Sequence, residues 1–292
     1  MAPTLTGSYL AVGIDGSAAS LAALVWAADE AARHRWPLRL VHAYGEAAPL
    51  HRMVSTVPIG REAAETMFSD ARERLAAHGH ADLELSTVAT EGSPRGALLH
   101  SDLGAHTLVV GRRGAGQFAE LLLGSTALAC AAHARVPVVV VPETWQPTAR
   151  TEQVITLGVD GSARSDAAIE YAFVTASHRQ ARIVAVFALQ RPAPVLAAAE
   201  PADPEAHAEA AHMLSEQLAP WRAKFPDVAV REIVADGHPV AVLKEYSEDA
   251  DLVVVGGRGH GVVTGLLLGS VAQAVLTHVN RPIAVVHEPK GT

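Results

Sequence analysis

The sequence predicts an α/β protein made of two copies of one domain, each a five-stranded parallel sheet with helices on both faces. Two observations predict it. The first is a repeat at a constant offset of 145. Gly13-Ile14-Asp15-Gly16-Ser17-Ala18 matches Gly158-Val159-Asp160-Gly161-Ser162-Ala163, and Val41-His42-Ala43 matches Val186-Phe187-Ala188. At the same offset Gly92-Ser93-Pro94 matches Gly237-His238-Pro239, and Leu121-Leu122-Leu123-Gly124-Ser125 matches Leu266-Leu267-Leu268-Gly269-Ser270. A solenoid unit spans only ~20–50 residues, whereas each copy here has room for its own core. The second observation is that short apolar runs alternate with segments of helical periodicity in both copies, the pattern of a parallel sheet with crossover helices.

In the first copy the elements follow in order. Tyr9–Ile14 is an apolar run ending in Gly13 and Asp15, a buried strand. Ser17–His34 is a helix, with Leu21, Leu24, Val25, Ala28 and Ala32 on one side and Ser17 as N-cap. Leu38–Ala43 is the second strand, 45–58 a loop, and Glu62–His78 an amphipathic helix. Leu83–Ala89 alternates as a strand, and Pro94–Leu103 begins with proline at the first helical position. Thr107–Val110, Ser125–His133 and Val138–Val141 complete the copy as strand, helix and strand. The second copy reads as Val154–Val159, Ser162–Ser177, Ile183–Ala188, Glu205–Lys224, Val228–Val234, Pro239–Glu248, Leu252–Val255, Ser270–His278 and Ile283–Val286. Pro142–Thr151, with two prolines and several polar residues, is the linker, so the domains are expected over 1–145 and 146–292.

Composition limits the function. With 23 Lys+Arg against 31 Asp+Glu the formal net charge is −8, which excludes a nucleic-acid backbone as main partner. Charged residues are 18% and hydrophobic residues 49%, so folded domains are expected, and 4% aromatics require an aliphatic core. A single cysteine, Cys130, excludes a disulfide framework and a cysteine-rich zinc site; it reads as a small core residue. The first ten residues lack the basic-then-apolar pattern of a secretory signal, and no apolar run reaches ~18 residues. A cytoplasmic protein without a membrane span is expected. The fifteen histidines, including His78 and His80 and the pair His207 and His212, form no recognisable ligand set and read as surface residues, so no metal ligands are assigned.

The chemistry lies in the glycines after the fourth strand of each copy. The loops read Gly111-Arg112-Arg113-Gly114-Ala115-Gly116 and Gly256-Gly257-Arg258-Gly259-His260-Gly261. Nine residues separate Gly114 from Gly124-Ser125, and nine separate Gly259 from Gly269-Ser270. Glycines let a ligand approach the backbone, and a helix opening at Gly-Ser offers free N–H groups and a favourable dipole to an anion. Arg113 and Arg258 add a positive charge. The pattern is neither a P-loop, since no lysine follows Gly-Ser, nor the dinucleotide fingerprint, which belongs after the first strand. Asp15 and Asp160, at the carboxyl ends of first strands, read as ligand contacts, with an Asx-turn capping the next helix as the alternative.

On these residues, together with the proline-led third helix and the closing Pro-Val-Val-Val-Val or Pro-Ile-Ala-Val-Val, the whole chain resembles a tandem universal stress protein of the ATP-binding type, as in mycobacteria and other actinobacteria. The resemblance implies two Rossmann-like, flavodoxin-like sheets of order 3-2-1-4-5 and one ATP per domain, with Mg²⁺ as the usual companion of the nucleotide. It implies adenosine contacts from Gly13, Ile14, Asp15 and the backbone of Ala43, and ribose or phosphate contacts from Val110, Gly111, Arg113, Gly114, Gly124, Ser125 and Thr126. In the second domain the corresponding residues are Gly158, Val159, Asp160, Ala188, Val255, Gly256, Arg258, Gly259, Gly269, Ser270 and Val271. Thr126 replaces the apolar residue that Val271 supplies, and Ala127 and Ala272 lack a hydroxyl found in some members. The resemblance also implies that fifth strands pair, so that Val138–Val141 and Ile283–Val286 run antiparallel in an internal pseudo-dimer; a homodimer and further protein partners are left open. Three functions follow: a nucleotide-dependent module in a stress or growth response, a slow ATPase or nucleotidyl-transfer enzyme using Asp15 or Asp160 with Mg²⁺, and a nucleotide-free scaffold.

Overall fold

The computed structural model describes residues 9–45, 60–101, 104–114, 122–147, 152–190, 203–259 and 268–288. The chain divides into two units, 1–147 and 148–292.

In the first unit the strands are β1 (Tyr9–Gly13), β2 (Leu38–Gly45), β3 (Leu85–Gly92), β4 (Ala105–Gly111) and β5 (Val138–Val141). The helices are α1 (Ala18–His34), α2 (Arg61–Ala77), α3 (Pro94–Ser101) and α4 (Ser125–His133). β1 pairs with β2 and β4, β2 with β3, and β4 with β5, all parallel, giving the order β3-β2-β1-β4-β5. From β1 the chain steps outward to β2 and β3, then returns to β4 on the other side of β1. Right-handed crossovers place the helices of the two directions on opposite faces. Accordingly α1 packs on α2, and α3 packs on α4.

The second unit repeats this with β6 (Val154–Val159), β7 (Arg182–Leu189), β8 (Val230–Asp236), β9 (Leu252–Gly256) and β10 (Ile283–Val286). Its parallel pairs give β8-β7-β6-β9-β10. The helices are α5 (Asp166–Arg179), α6 (Pro204–Lys224), α7 (Pro239–Tyr246) and α8 (Ser270–His278).

The core is aliphatic, as the scarcity of aromatics requires. Leu10, Leu24, Leu38, Leu40 and Leu108 are fully buried, as are Ile155, Leu157, Ile169 and Ile183. Trp26 and Tyr171, 145 residues apart, are both buried on their helices, and Cys130 is buried in α4. The alanines of α1 (Ala23, Ala27, Ala28 and Ala31) let its backbone lie close to the sheet. Leu268 is buried, but Leu122 is 60% exposed, so the leucines before Gly-Ser are not uniformly core.

Many element ends shift by one to four residues from the expectation, and the shifts at the ends of β3 and β8 and at the start of α5 have a clear physical reason. β3 and β8 run to Gly92 and Asp236, past the apolar residues, because parallel pairing with β2 continues to Gly45↔Gly92 and with β7 to Leu189↔Asp236. Backbone pairing extends an edge strand beyond its apolar alternation. The helix expected from Ser162 opens instead as a 3₁₀ turn, Ala163–Ser165, and becomes α-helical at Asp166.

That difference at the helix start has an energetic signature. Ser17 caps α1: its Oγ accepts the Ser20 N–H at 3.1 Å. In the second unit the Ser162 hydroxyl donates to Asp160 Oδ1 at 2.7 Å and caps no helix N–H. Ser17→Ala is therefore expected to cost about 1 kcal/mol and Ser162→Ala clearly less, as measured by denaturant unfolding of the two variants.

Candidate functional site

In a parallel α/β sheet, ligands settle at the carboxyl ends of strands where the chain reverses direction. Here that point lies between β1 and β4, and between β6 and β9. β1 and β4 are in register through Val12↔Val109, so Gly13 comes level with Val110, one residue before Gly111 closes β4. Of their twins, Gly256 closes β9 and Gly158 stands one residue before the end of β6.

Beyond β1 the chain turns sharply. Gly16 has φ +78°, as does Gly161, a conformation that glycine adopts without strain. The turn is an Asx-turn in both units: Asp15 Oδ1 accepts the Ser17 N–H at 3.0 Å, and Asp160 Oδ1 accepts the Ser162 N–H at 3.0 Å. Ser20 Oγ accepts the Asp15 N–H at 3.3 Å, and Ser165 Oγ accepts that of Asp160 at 3.4 Å. The capping role of both aspartates is thus realised through Oδ1. Oδ2 faces the second glycine of the loop: a Cβ on Gly114 would lie 2.5 Å from Asp15 Oδ2, and one on Gly259 would lie 2.5 Å from Asp160 Oδ2.

The loop after β4 is tied on three sides. The Arg112 N–H donates to Val141 O at 2.7 Å, holding the loop to the end of β5. Arg112 O accepts the Gly124 N–H at 2.9 Å, holding the start of α4 to the loop. The Ser17 hydroxyl donates to Arg113 O at 3.4 Å, joining the loop to the start of α1. The first two ties recur in the second unit, where Gly257 N–H reaches Val286 O at 2.7 Å and Gly269 N–H reaches Gly257 O at 2.8 Å. The third is replaced there by the Arg164 guanidinium, which donates to Gly259 O at 3.3 Å.

Gly124 and Gly269 are the N-cap residues of α4 and α8, at φ −71° and −69°. Any residue can take that φ, so what matters is the missing side chain. A Cβ on Gly124 would meet Arg112 O at 3.2 Å and Arg113 Cα at 3.5 Å; one on Gly269 would meet Arg258 Cα at 3.4 Å. The Cβ would press on the loop backbone in the first unit and rest in ordinary contact with it in the second. Glycine here keeps the helix N-terminus, with its anion-favouring dipole, against the loop.

In the first unit these parts enclose a cavity of about 520 Å³, within the usual range for small-molecule sites. Gly13, Ile14 and Asp15 line it from β1, Ala43 from β2, and Val110 and Gly111 from β4. Arg112, Arg113 and Gly114 line it from the loop, and Gly124, Ser125 and Thr126 from the start of α4. Every described residue assigned to the first site therefore faces one space. Ala115, Gly116, His260 and Gly261 lie outside the described residues. In the second unit, Gly158, Val159 and Asp160 follow the same course at the end of β6. Val255, Gly256, Gly257, Arg258 and Gly259 do so at the end of β9, Ala188 near the end of β7, and Gly269, Ser270 and Val271 at the start of α8.

Several cavity residues escaped the motif. Ser20 and Leu98 line it, and both recur in the second unit as Ser165 and Leu243. A Cβ on Gly13 would touch Leu98 Cδ1 at 3.0 Å, and one on Gly158 would touch Leu243 Cδ2 at 3.1 Å. The repeat offset could have found them. His42 also lines the cavity, with Nδ1 2.8 Å from Ile14 O and its ring edge-on to Phe68; Phe187 stands in its place in the second unit. Glu143 lines it too, its Oε1 2.5 Å from Arg113 Nη2. Burial, and repulsion from Arg113, lower the Arg112 pKa from its ordinary value, and Glu143 opposes that shift. Arg112 and Arg113 thus share the cavity lining with the carboxylates of Glu143 and Asp15.

Among the described residues, no helix is long and apolar enough to cross a membrane.

A family model described as the universal stress protein family matches residues 10–142 and 152–287. A universal stress protein of Mycolicibacterium smegmatis is 33% identical over 300 residues, covering 98% of this chain and 99% of the relative. A universal stress protein of Mycobacterium tuberculosis is 32% identical over 320 residues, covering 99% and 98%. Among solved structures, a universal stress protein of Archaeoglobus fulgidus superimposes with a TM-score of 0.71 at 17% identity, covering 96% of this chain and 98% of that one.

Proposed function

Because the chain belongs to the universal stress protein family, we propose that it is a cytoplasmic nucleotide-dependent module that takes one ATP in each unit and acts in a stress or growth response. One observation carries this reading. At the carboxyl ends of β1 and β4, glycine backbone and the N-terminus of α4 line a cavity of about 520 Å³ with Arg112 and Arg113 at one end. A triphosphate suits that end, since backbone N–H groups, a helix dipole and guanidiniums all favour negative charge. The nucleoside then extends toward Ile14, His42 and Ala43, which line the cavity from the ends of β1 and β2. Mg²⁺, carried on the phosphates with water as its remaining ligands, neutralises charge there. Asp15 and Asp160 each hold one oxygen in the Asx-turn and turn the other toward the glycine loop, which suits a ligand hydroxyl or a water of the Mg²⁺ shell. The repeated ties in the second unit support a second site of the same kind.

Isothermal titration of the whole chain with Mg·ATP tests this. Two sites per chain are expected. No heat of binding, with no nucleotide released from the purified protein by acid, refutes it and leaves the scaffold function. Repeated turnovers to ADP, lost in Asp15→Ala or Asp160→Ala, make the protein a slow ATPase instead.

The same reading includes edge-to-edge antiparallel pairing of 138–141 with 283–286, since each strand closes one side of its own unit's sheet and an edge exposes unpaired backbone groups. Amide exchange in both strands as slow as in β1 and β6 supports it, and exchange at edge-strand rates refutes it.

A further inference from the structure

We propose that Glu143 is a built-in competitor for the phosphate end of the first site, and that a polyphosphate displaces it and so moves the segment leaving β5. This rests on the reading of the cavity as a polyphosphate site. The carboxylate lies in the ion pair with Arg113 and lines the cavity with Arg112, Arg113, Gly114, Gly124 and Ser125. Glu143 belongs to the β5 end rather than to the loop. Val141 O is held by the Arg112 N–H, Glu143 follows two residues later, and the Trp145 N–H closes a turn onto Pro142 O at 3.0 Å. The backbone of Arg113 is held separately, by the Ser17 hydroxyl. Releasing Glu143 therefore removes one tie between the 142–147 turn and the loop, while the loop backbone keeps its ties to Ser17, Val141 and Gly124.

The exchange is a competition between two anions for one guanidinium. Both side chains are partly exposed, at 37% for Arg113 and 42% for Glu143, and such pairs contribute little to stability. A phosphate chain brings several charges and bidentate geometry to the same fork. It therefore wins, at a cost equal to the pair it breaks. Ligands without phosphate make no such exchange, so Glu143 also sorts ligands by charge at this end. Trp145, two residues beyond Glu143 and half-buried, is placed to report the movement. The sequence continues from this segment directly into the second unit, so the turn is where occupancy of the first site leaves the site itself.

Glu143→Gln, made in the Gly269→Ala background so that the first site reports, is compared with its parent by titration with sodium tripolyphosphate, Mg·ATP and adenosine. Roughly two- to fivefold tighter tripolyphosphate binding is expected, the fold-change equivalent of one exposed ion pair, with adenosine binding unchanged. Glu143→Ala gives the same result. Mg·ATP shifts tryptophan emission in the parent, less in Glu143→Gln, and not in Trp145→Phe, which leaves the other three tryptophans in place. If Mg·ATP binds the parent but neither Glu143 variant binds tripolyphosphate more tightly, the competition is refuted and the site stands. If no phosphate ligand binds any of these proteins, the site and the competition fall together. Binding by the Glu143 variants alone supports the competition.

Discussion

Gly111→Ala is expected to destabilise the first unit by about 3 kcal/mol, whereas Gly256→Ala, the same change 145 residues on, costs a small fraction of that. A Cβ on Gly111 would lie 2.6 Å from the Ala19 carbonyl carbon and 2.8 Å from both Ala19 O and Ser20 N. These are backbone atoms of α1, a helix capped by Ser17 and buried along Ala19, Ser20 and Ala23. Relief requires moving the helix off β4. A Cβ on Gly256 would meet Arg258 O at 3.2 Å and Arg164 O only at 3.8 Å. The 3₁₀ turn at Ala163–Ser165 carries the backbone clear at the matching place. At roughly 2–4 °C per kcal/mol for domains of this size, the first substitution lowers the melting point of its unit by roughly 6–12 °C by circular dichroism. Equal losses in the two variants would show that the helix starts do not differ as described.

Gly124→Ala and Gly269→Ala carry the largest expected effect on ligand binding. Each is expected to weaken its own site about tenfold or more, a change of about 1.4 kcal/mol, so that Mg·ATP titration of either variant resolves one site of parental affinity and one weakened site. The reason is damage to the cradle. In the first unit the added methyl meets Arg112 O at 3.2 Å, which presses the helix N-terminus away from the loop, so that oriented N–H groups lose their alignment with the phosphates. In the second unit the methyl rests against Arg258 Cα and Gly257 O at 3.4 Å, an ordinary contact, and covers backbone that the phosphates would approach. The fold itself loses about 1 kcal/mol, the usual cost of alanine at an N-cap, so both variants remain folded by circular dichroism. Two undiminished sites in either variant would remove the glycine-helix cradle from the proposed function.

The β-α alternation was legible residue by residue because each buried strand is a run of Val, Leu and Ile and each helix shows an apolar face. Gly13, Gly111 and Gly124, which line the cavity, were singled out in the sequence because glycine at strand ends and a helix start is chemically distinctive. Ser20, Leu98 and His42 were not. Serine, leucine and histidine occur in many settings, and only the arrangement of α1, β2 and α3 around the ends of β1 and β4 makes these three wall residues. Glu143 was read as linker. Its role appears only when β5 is seen held to the β4 loop through Val141 and Arg112.

By itself the sequence determined the duplication, the alternation of elements, the family and the glycine loops after the fourth strand of each unit. These are properties of chemical type and spacing along the chain, which a parallel α/β fold converts directly into position. Only the tertiary structure decided three things. One is that Asp15 and Asp160 divide their oxygens between turn and loop. Another is that the matching glycines Gly111 and Gly256 stand at unequal distances from the following helix. The third is that a carboxylate beyond β5 shares Arg113 with the cavity. Each depends on atoms from segments far apart in the chain meeting within a few ångströms, and a spacing along the sequence carries no such distance.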